Sequence, residues 1–198
     1  MLTVGAPAGG LTLGAGADQI WRWDTNNANW IKYFWRAGRG VTTPCWCKEG
    51  ETTETADAVP AGENVFFYRG GSAKTSITLA GGVKSFTASK SYSASVTKFV
   101  FMGYPWPQEL NVADFTQFYS VDAPAGGLNI GAGADQIWRW DSASANWVKY
   151  FYRSGRGVTT AGWCKEGASE ITTDTIPVGE GFFFYRGGAT TVTIEFSK

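Results

Sequence analysis

The feature that most constrains this chain is a repeat. Ala6-Pro7-Ala8-Gly9-Gly10-Leu11 returns 117 positions later as Ala123-Pro124-Ala125-Gly126-Gly127-Leu128, and the same offset holds without a gap to Lys198. It carries Ala17-Asp18-Gln19-Ile20-Trp21-Arg22-Trp23-Asp24 onto 134–141, Gly38-Arg39-Gly40-Val41-Thr42-Thr43 onto 155–160, Trp46-Cys47-Lys48-Glu49-Gly50 onto 163–167, and Phe66-Phe67-Tyr68-Arg69-Gly70-Gly71 onto 183–188. Roughly six in ten positions agree across the repeated stretch, far above chance for a window of that size. Copy one is therefore residues 1–81 and copy two residues 118–198, with a single-copy segment, 82–117, between them. Residues present in both copies are expected to serve the function twice.

Two architectures fit this arrangement. The copies form one pseudo-twofold body with the insert near its axis, or the folding unit is insert plus copy, about 117 residues, and the first copy lacks its insert. The second arrangement leaves a sheet edge in the first copy that a strand of another molecule can fill, and such a head-to-tail contact need not close.

Strand signals are short and regularly spaced. Gln19 to Trp23 and Trp30 to Arg36 are aromatic runs joined by the turn-forming stretch Asp24-Thr25-Asn26-Asn27-Ala28-Asn29, which reads as a β-hairpin. Val65 to Arg69 and Thr75 to Leu79 flank Gly70-Gly71 and read as a second hairpin. Period-two alternation sets Trp21 and Trp23 opposite Ile20 and Arg22, and Trp30, Lys32, Phe34 and Arg36 opposite Ile31, Tyr33 and Trp35. Both faces are thus aromatic, so covering one in a sandwich leaves the other for a second sheet, a partner or a ligand. In the insert, Val83 to Thr87 and Val96 to Met102 read as strands around a Ser/Ala/Lys-rich loop, forming a hairpin that Tyr104-Pro105-Trp106-Pro107 then ends. Leu110 to Phe115 is a short helical turn or a strand. The expected fold class is all-β: two repeated antiparallel β-sandwich-like units related by internal duplication, with little helix.

Composition narrows the function classes. Lys plus Arg equals Asp plus Glu at 17 each, which argues against nucleic acid or an anionic membrane as partner. Charged residues are 17% against aromatics at 16%, a balance that points to an extracellular or cell-surface protein. No apolar run approaches the roughly 20 residues of a membrane span, and Met1 to Gly5 lacks the basic and apolar parts of a signal peptide, so secretion is inferred from composition alone.

Histidine is absent from all 198 residues, which excludes Ser/His/Asp and Cys/His nucleophiles and imidazole-ligated zinc. Cys47 and Cys164 are repeat-equivalent, either as small core thiols, the favoured reading, or as a disulfide, whereas Cys45 has no counterpart. Carboxylates recur at Asp18, Asp24, Glu49, Asp57 and Glu63 and at Asp135, Asp141, Glu166, Asp174 and Glu180, where ending strands and pairing arginines outweighs a glycosidase pair. Gly14-Ala15-Gly16-Ala17-Asp18-Gln19-Ile20 has the pattern of a calcium-binding nonapeptide but stands alone in each copy, so it reads as a glycine-rich turn, and no Lys-Ser/Thr follows to make it a phosphate cradle. No metal, cofactor or catalytic residue is expected, and the chain is not read as an enzyme.

Tryptophan supplies the best ligand site. Trp21, Trp23, Trp30 and Trp35, with Trp138, Trp140 and Trp147, offer two equivalent indole platforms for sugar rings, against the more frequent use of such rings as core. The combination of Trp-Arg-Trp-Asp, the Gly-Arg-Gly-Val-Thr-Thr loop and the Phe-Phe-Tyr-Arg-Gly-Gly run, with Gly103-Tyr104-Pro105-Trp106-Pro107 in the insert, resembles tandem-repeat all-β modules of predicted secreted bacterial surface proteins of unknown function. That resemblance implies an extracellular, non-enzymatic module and brings no catalytic residues. The leading expectation is a self-associating structural protein, a filament, matrix or surface-layer subunit; the alternative is a bivalent polysaccharide-binding module.

Overall fold

The computed structural model describes residues 17–37, 40–59, 63–71, 89–121, 133–155 and 157–197. Their strands fall into two compact units. The first holds β1 (Gln19–Asp24), β2 (Asn29–Arg36), β3 (Cys45–Lys48) and β4 (Val65–Tyr68). The second holds β5 (Lys90–Ala94), β6 (Phe99–Gly103), β7 (Leu110–Asn111), the 3-10 turn η1 (Val112–Phe118), β8 (Gln136–Asp141), β9 (Asn146–Arg153), β10 (Gly162–Lys165), β11 (Thr175–Ile176), β12 (Gly181–Tyr185) and β13 (Val192–Phe196). The protein is all-β, and η1 is the one helical element among the described residues.

The hairpin expected in each copy forms for a local reason. Asp24 accepts hydrogen bonds from the Asn26 and Asn27 backbone N–H groups at 3.0 and 3.3 Å and from the Asn27 amide at 2.7 Å, an Asx turn that reverses the chain so that Asp24 pairs with Asn29. Asp141 does the same through Ala143 N–H at 3.0 Å and Ser144 Oγ at 2.7 Å. Ala28 and Ala145 both close the loop at φ 49°, so even the strained position repeats.

From this hairpin each sheet grows in the same order. The first unit runs β3-β2-β1-β4, and the second runs β10-β9-β8-β12 with β6 added beyond β12. The registers match at the repeat offset: Gln19 faces Phe34 as Gln136 faces Phe151, Trp23 faces Trp30 as Trp140 faces Trp147, and Trp21 faces Phe66 as Trp138 faces Phe183.

The described part of the insert, 89–117, belongs to the second unit. β6 pairs with β12, from Phe99 opposite Tyr185 to Gly103 opposite Gly181, while β5 pairs with β13 in a separate two-stranded sheet. Strand β5 falls within the segment expected to be a Ser/Ala/Lys-rich loop: Tyr92 and Ala94 are buried while Ser91 and Ser93 are exposed, a period of two carried by small residues. The expected strand at 83–87 and the one at 75–79 lie outside the described residues. In copy two the equivalent of the latter, β13, does not form a hairpin with β12 across Gly187-Gly188. Both edges of β12 are already taken, by β8 and β6, so β13 crosses to the opposite layer. Leu110 to Phe115 resolves into both expected alternatives, β7 followed by η1.

The second unit is sandwich-like. Val100, Met102, Ile137, Tyr150, Trp163, Phe182 and Phe184 line the inner face of the five-stranded sheet, and the facing layer brings Tyr92 and Ala94, Leu110, Val112 and Phe115, Ile176, Ile194 and Phe196 into the same core. Phe115 stands edge-on to Trp163 and Phe182 at 5.9 and 5.7 Å. In the first unit the buried cluster among the described residues is small: Ala17, Phe34, Cys45 and Cys47.

Each sheet is clamped across its middle by a buried carboxylate. Asp135, just before β8, accepts from the Arg186 guanidinium at 2.6 Å, from Gly187 N–H at 2.9 Å and from the Tyr119 hydroxyl at 3.1 Å, with both charged side chains fully buried. Arg186 is held further by the Thr190 carbonyl at 2.8 Å. Gly187 passes so close that an added Cβ would lie 2.2 Å from the Ala134 carbonyl oxygen. Asp18, Arg69 and Gly70 repeat the arrangement in the first unit, with Arg69 at 23% exposure.

Replacing Asp135 by Ala leaves the Arg186 charge buried without a counter-ion and should cost about 3–5 kcal/mol. Asp18→Ala should cost less, about 1–3 kcal/mol, because the half-open Arg69 reaches water. Urea unfolding followed by tryptophan emission measures both losses, and equal losses would contradict the difference in burial.

Candidate functional site

Two features of the sheets stand apart from packing that any β-protein needs: an aromatic platform on the outer face of each, and a pocket on the inner face of the first.

The platform follows from alternation. In the first unit Trp21, Trp23 and Trp30 come to one face with Lys32 and Phe66. Trp30 sits between its neighbours, 5.9 Å from Trp21, 5.1 Å from Trp23 and 5.4 Å from Phe66, meeting the last two edge to face. The second unit reproduces this with Trp147 at 6.3 Å from Trp138, 5.2 Å from Trp140 and 5.7 Å from Phe183. The Lys32 ammonium lies 4.9 Å from the Trp21 ring and Lys149 lies 4.8 Å from Trp138, each a cation over an indole face. All six indoles are half-buried. In the second unit Phe99 of β6 extends the row, edge-on to Trp138 at 5.1 Å.

Trp35 is not part of this platform. It lies on the inner face, edge-on to Trp46 at 5.7 Å, and its counterpart Tyr152 packs on Trp163. The sequence pattern places Trp35 opposite Trp30, so the alternation itself carried the signal.

The inner face of the first sheet holds a cavity of about 220 Å³ lined by Ile20, Arg22, Tyr33 and Trp46 and walled by Glu54, Thr55, Asp57, Ala58 and Val59. Pockets for whole small molecules run from roughly 300 Å³ upward, so this one suits one or two side chains. Sequence reading missed it, because no motif marks it and its lining residues meet only through the fold. In the second unit the equivalent residues Ile137, Tyr150, Trp163 and Ile176 are fully buried under β7 and η1.

The carboxylates flanking these surfaces are already engaged. Tyr33 donates to Asp57 at 2.6 Å and Tyr150 to Asp174 at 2.7 Å. Lys165 adds an ion pair to Asp174 at 3.1 Å, and Arg139 binds Glu180 at 2.6 Å and the Thr175 carbonyl at 3.2 Å. Asp24 and Asp141 shape the hairpin turns, and Asp18 and Asp135 spend their oxygens on the clamps. Asp18 is therefore not disposed as a calcium ligand; residues 14–16 of that motif lie outside the described residues. Among the described residues no group of three or more acidic or thiol side chains is placed to hold a metal ion.

The bridge between Cys47 and Cys164 is not formed. All three thiols are free and buried, each packed beside its own sheet, with Cys45 Sγ 3.6 Å from Cys47 Sγ. Burial, reinforced by Cys45, pushes the Cys47 thiol up to about 11. Cys45 has a packing explanation: its counterpart Gly162 leaves room for Ile171, whose Cδ1 would lie 2.8 Å from an added Cβ, whereas copy one has Glu54 at the Ile171 position and Cys45 at the glycine.

Burial and then the hydrogen bond to Asp57 push the Tyr33 phenol up to about 12, and the same two causes raise Tyr150. Both native values exceed the unfolded one near 10, so these hydroxyls stabilise the fold fully below about pH 10 and lose that contribution as pH rises toward the native value. Asp174 is held below the ordinary carboxylate range, chiefly by Tyr150, so its contribution is lost as pH falls through the acid range. Tyrosinate absorbance should therefore show a delayed fraction that appears with loss of near-ultraviolet dichroism. Tyr150→Phe should flatten both the acid and the alkaline limb of stability, and unchanged limbs would contradict the coupling. Comparison of the chain with protein-family models, with curated proteins and with solved structures finds no match.

Proposed function

We propose that this chain is a structural β-module of the cell exterior, without enzymatic activity, that associates with further copies of itself through the β4 edge of the first unit's sheet and its aromatic face. One observation supports this reading above others. The same sheet occurs twice, with a fifth strand beyond β12 in the second unit and none beyond β4 among the described residues of the first. Val65 and Tyr68 on that edge are 37% and 50% exposed, while Phe182, the equivalent of Val65, is fully buried. A strand at the edge of a sheet with apolar side chains at the surface is a template for pairing with another chain. No helix among the described residues is long and apolar enough to cross a membrane.

A second reading, polysaccharide binding on the outer platforms, is supported by the reproduction of the ring geometry in both units, since paired sites raise avidity for a repeating ligand. It predicts a shift of tryptophan emission with added polysaccharide that Trp23→Ala and Trp140→Ala each reduce.

The self-association reading predicts a sedimentation coefficient that rises with concentration. It also predicts that the exposed-edge double variant Val65→Lys/Tyr68→Lys stays monomeric, because charges on an edge oppose pairing. A wild-type chain that remains monomeric at about 1 mM, where even an association worth about 4 kcal/mol shows, would sink it.

A further inference from the structure

The inner-face pocket of the first unit has an internal template for its occupant. In the second unit Leu110 pairs with Ile176 and Asn111 with Thr175, the Val112 N–H donates to the Asp174 carbonyl at 3.1 Å, and Phe115 stands edge-on to Trp163 at 5.9 Å. Every receiving group has a counterpart in the first unit: Val59 for Ile176, Ala58 for Thr175, Asp57 for Asp174 and Trp46 for Trp163. Val59 is 49% exposed where Ile176 is fully buried, and Trp46 is half-buried where Trp163 is fully buried.

We propose that this pocket is a preformed acceptor for a polypeptide segment with the chemistry of Leu110-Asn111-Val112-Ala113-Asp114-Phe115: two extended residues that pair with 58–59, then a single tight turn that sets an aromatic ring on Trp46. Size favours side chains over a free small molecule, since about 220 Å³ takes one ring with a branched neighbour. Stoichiometry excludes exchange between copies as the source. Each chain has one insert and two sheets, so an insert that moves to another molecule uncovers the sheet it leaves, and the number of covered sheets does not rise. The occupant is therefore not the insert of a second copy but a separate polypeptide segment that carries this pattern unpaired. This inference goes beyond self-association, which uses the β4 edge and the outer face and leaves the pocket empty.

The test is a titration of the full chain with a synthetic peptide of residues 108–120, followed by tryptophan emission and by backbone amide shifts. Saturable binding is expected, with shifts concentrated at Trp46 and 57–59. A peptide carrying Phe115→Ala should bind at least about tenfold more weakly, as loss of a buried aromatic anchor demands. Because that comparison alters only the peptide, it does not depend on a variant protein folding. On the protein side, Val59→Asp, at an exposed position, should weaken binding to a similar degree. No saturable change at millimolar peptide, equal binding of a scrambled peptide, or shifts confined to the outer platform would each overturn the proposal. Sedimentation of the same samples separates the two readings: a monomer that binds the peptide removes self-association and leaves the acceptor pocket, and an assembling chain that ignores the peptide does the reverse.

Discussion

A β-sheet with large apolar side chains on both faces cannot leave both in water, and the rest of this molecule is organised around that constraint. Each sheet carries tryptophans on one face and isoleucine, tyrosine and a further tryptophan on the other. The outer faces manage partial exposure by packing indoles edge to face across the β1–β2 and β8–β9 hairpins and laying a lysine over one ring, so each indole shields its neighbours. On the inner faces one such edge-on pair forms in each sheet, Trp35 with Trp46 and Tyr152 with Trp163, and the other apolar groups need a cover. In the second unit β5, β13, β7 and η1 do the covering, and Phe115 alone touches Trp163, Phe182, Phe184 and Phe196.

Covering the sheet is useful only if the sheet keeps its register, and the buried carboxylate ensures that. Asp135 ties the chain before β8 to the chain after β12, the two strands that run side by side through the centre of the five-stranded sheet. A slip of one residue would turn every inward ring outward and break the ion pair at once. The clamp also explains why Arg-Gly-Gly follows the aromatic run in both copies: the arginine meets the carboxylate, and the first glycine brings its N–H to the same carboxylate where a side chain would strike the backbone at Ala134.

How much of this was legible in the sequence depends on range. The hairpins, their turn residues and the division of faces are local, and Asp24, Asp141 and the alternation of Trp21 and Trp23 with Ile20 and Arg22 announce them. The partner of β13 is not local. Gly70-Gly71 and Gly187-Gly188 look like hairpin turns, but which edge a strand joins depends on whether β12 is already paired on both sides, and that is decided by β6, some eighty residues earlier. Strand β5 was hidden for a different reason. Its outward residues are serines and its inward ones a tyrosine and an alanine, so its alternation is one of size and hydroxyl placement rather than of oil and water. The exchange of Gly162 and Ile171 for Cys45 and Glu54 was likewise unreadable, because only the fold brings Ile171 onto Gly162.

The substitutions between copies bear on the inner face of the first unit. Where the inner surface of the second unit has Phe182 at its margin, the first has the smaller Val65, and Glu54 and Thr55 stand in the wall of its pocket. At the floor nothing has softened: Ile20, Tyr33 and Trp46 stand where Ile137, Tyr150 and Trp163 stand. A face adapted to permanent exposure would have turned polar throughout, since each large apolar group left in water forfeits about 1.5–3 kcal/mol of burial. A face closed within its own core would have kept the margin apolar as well. A polar rim around an apolar centre is instead the anatomy of a surface that is wet at its border and dry in its middle when something binds there.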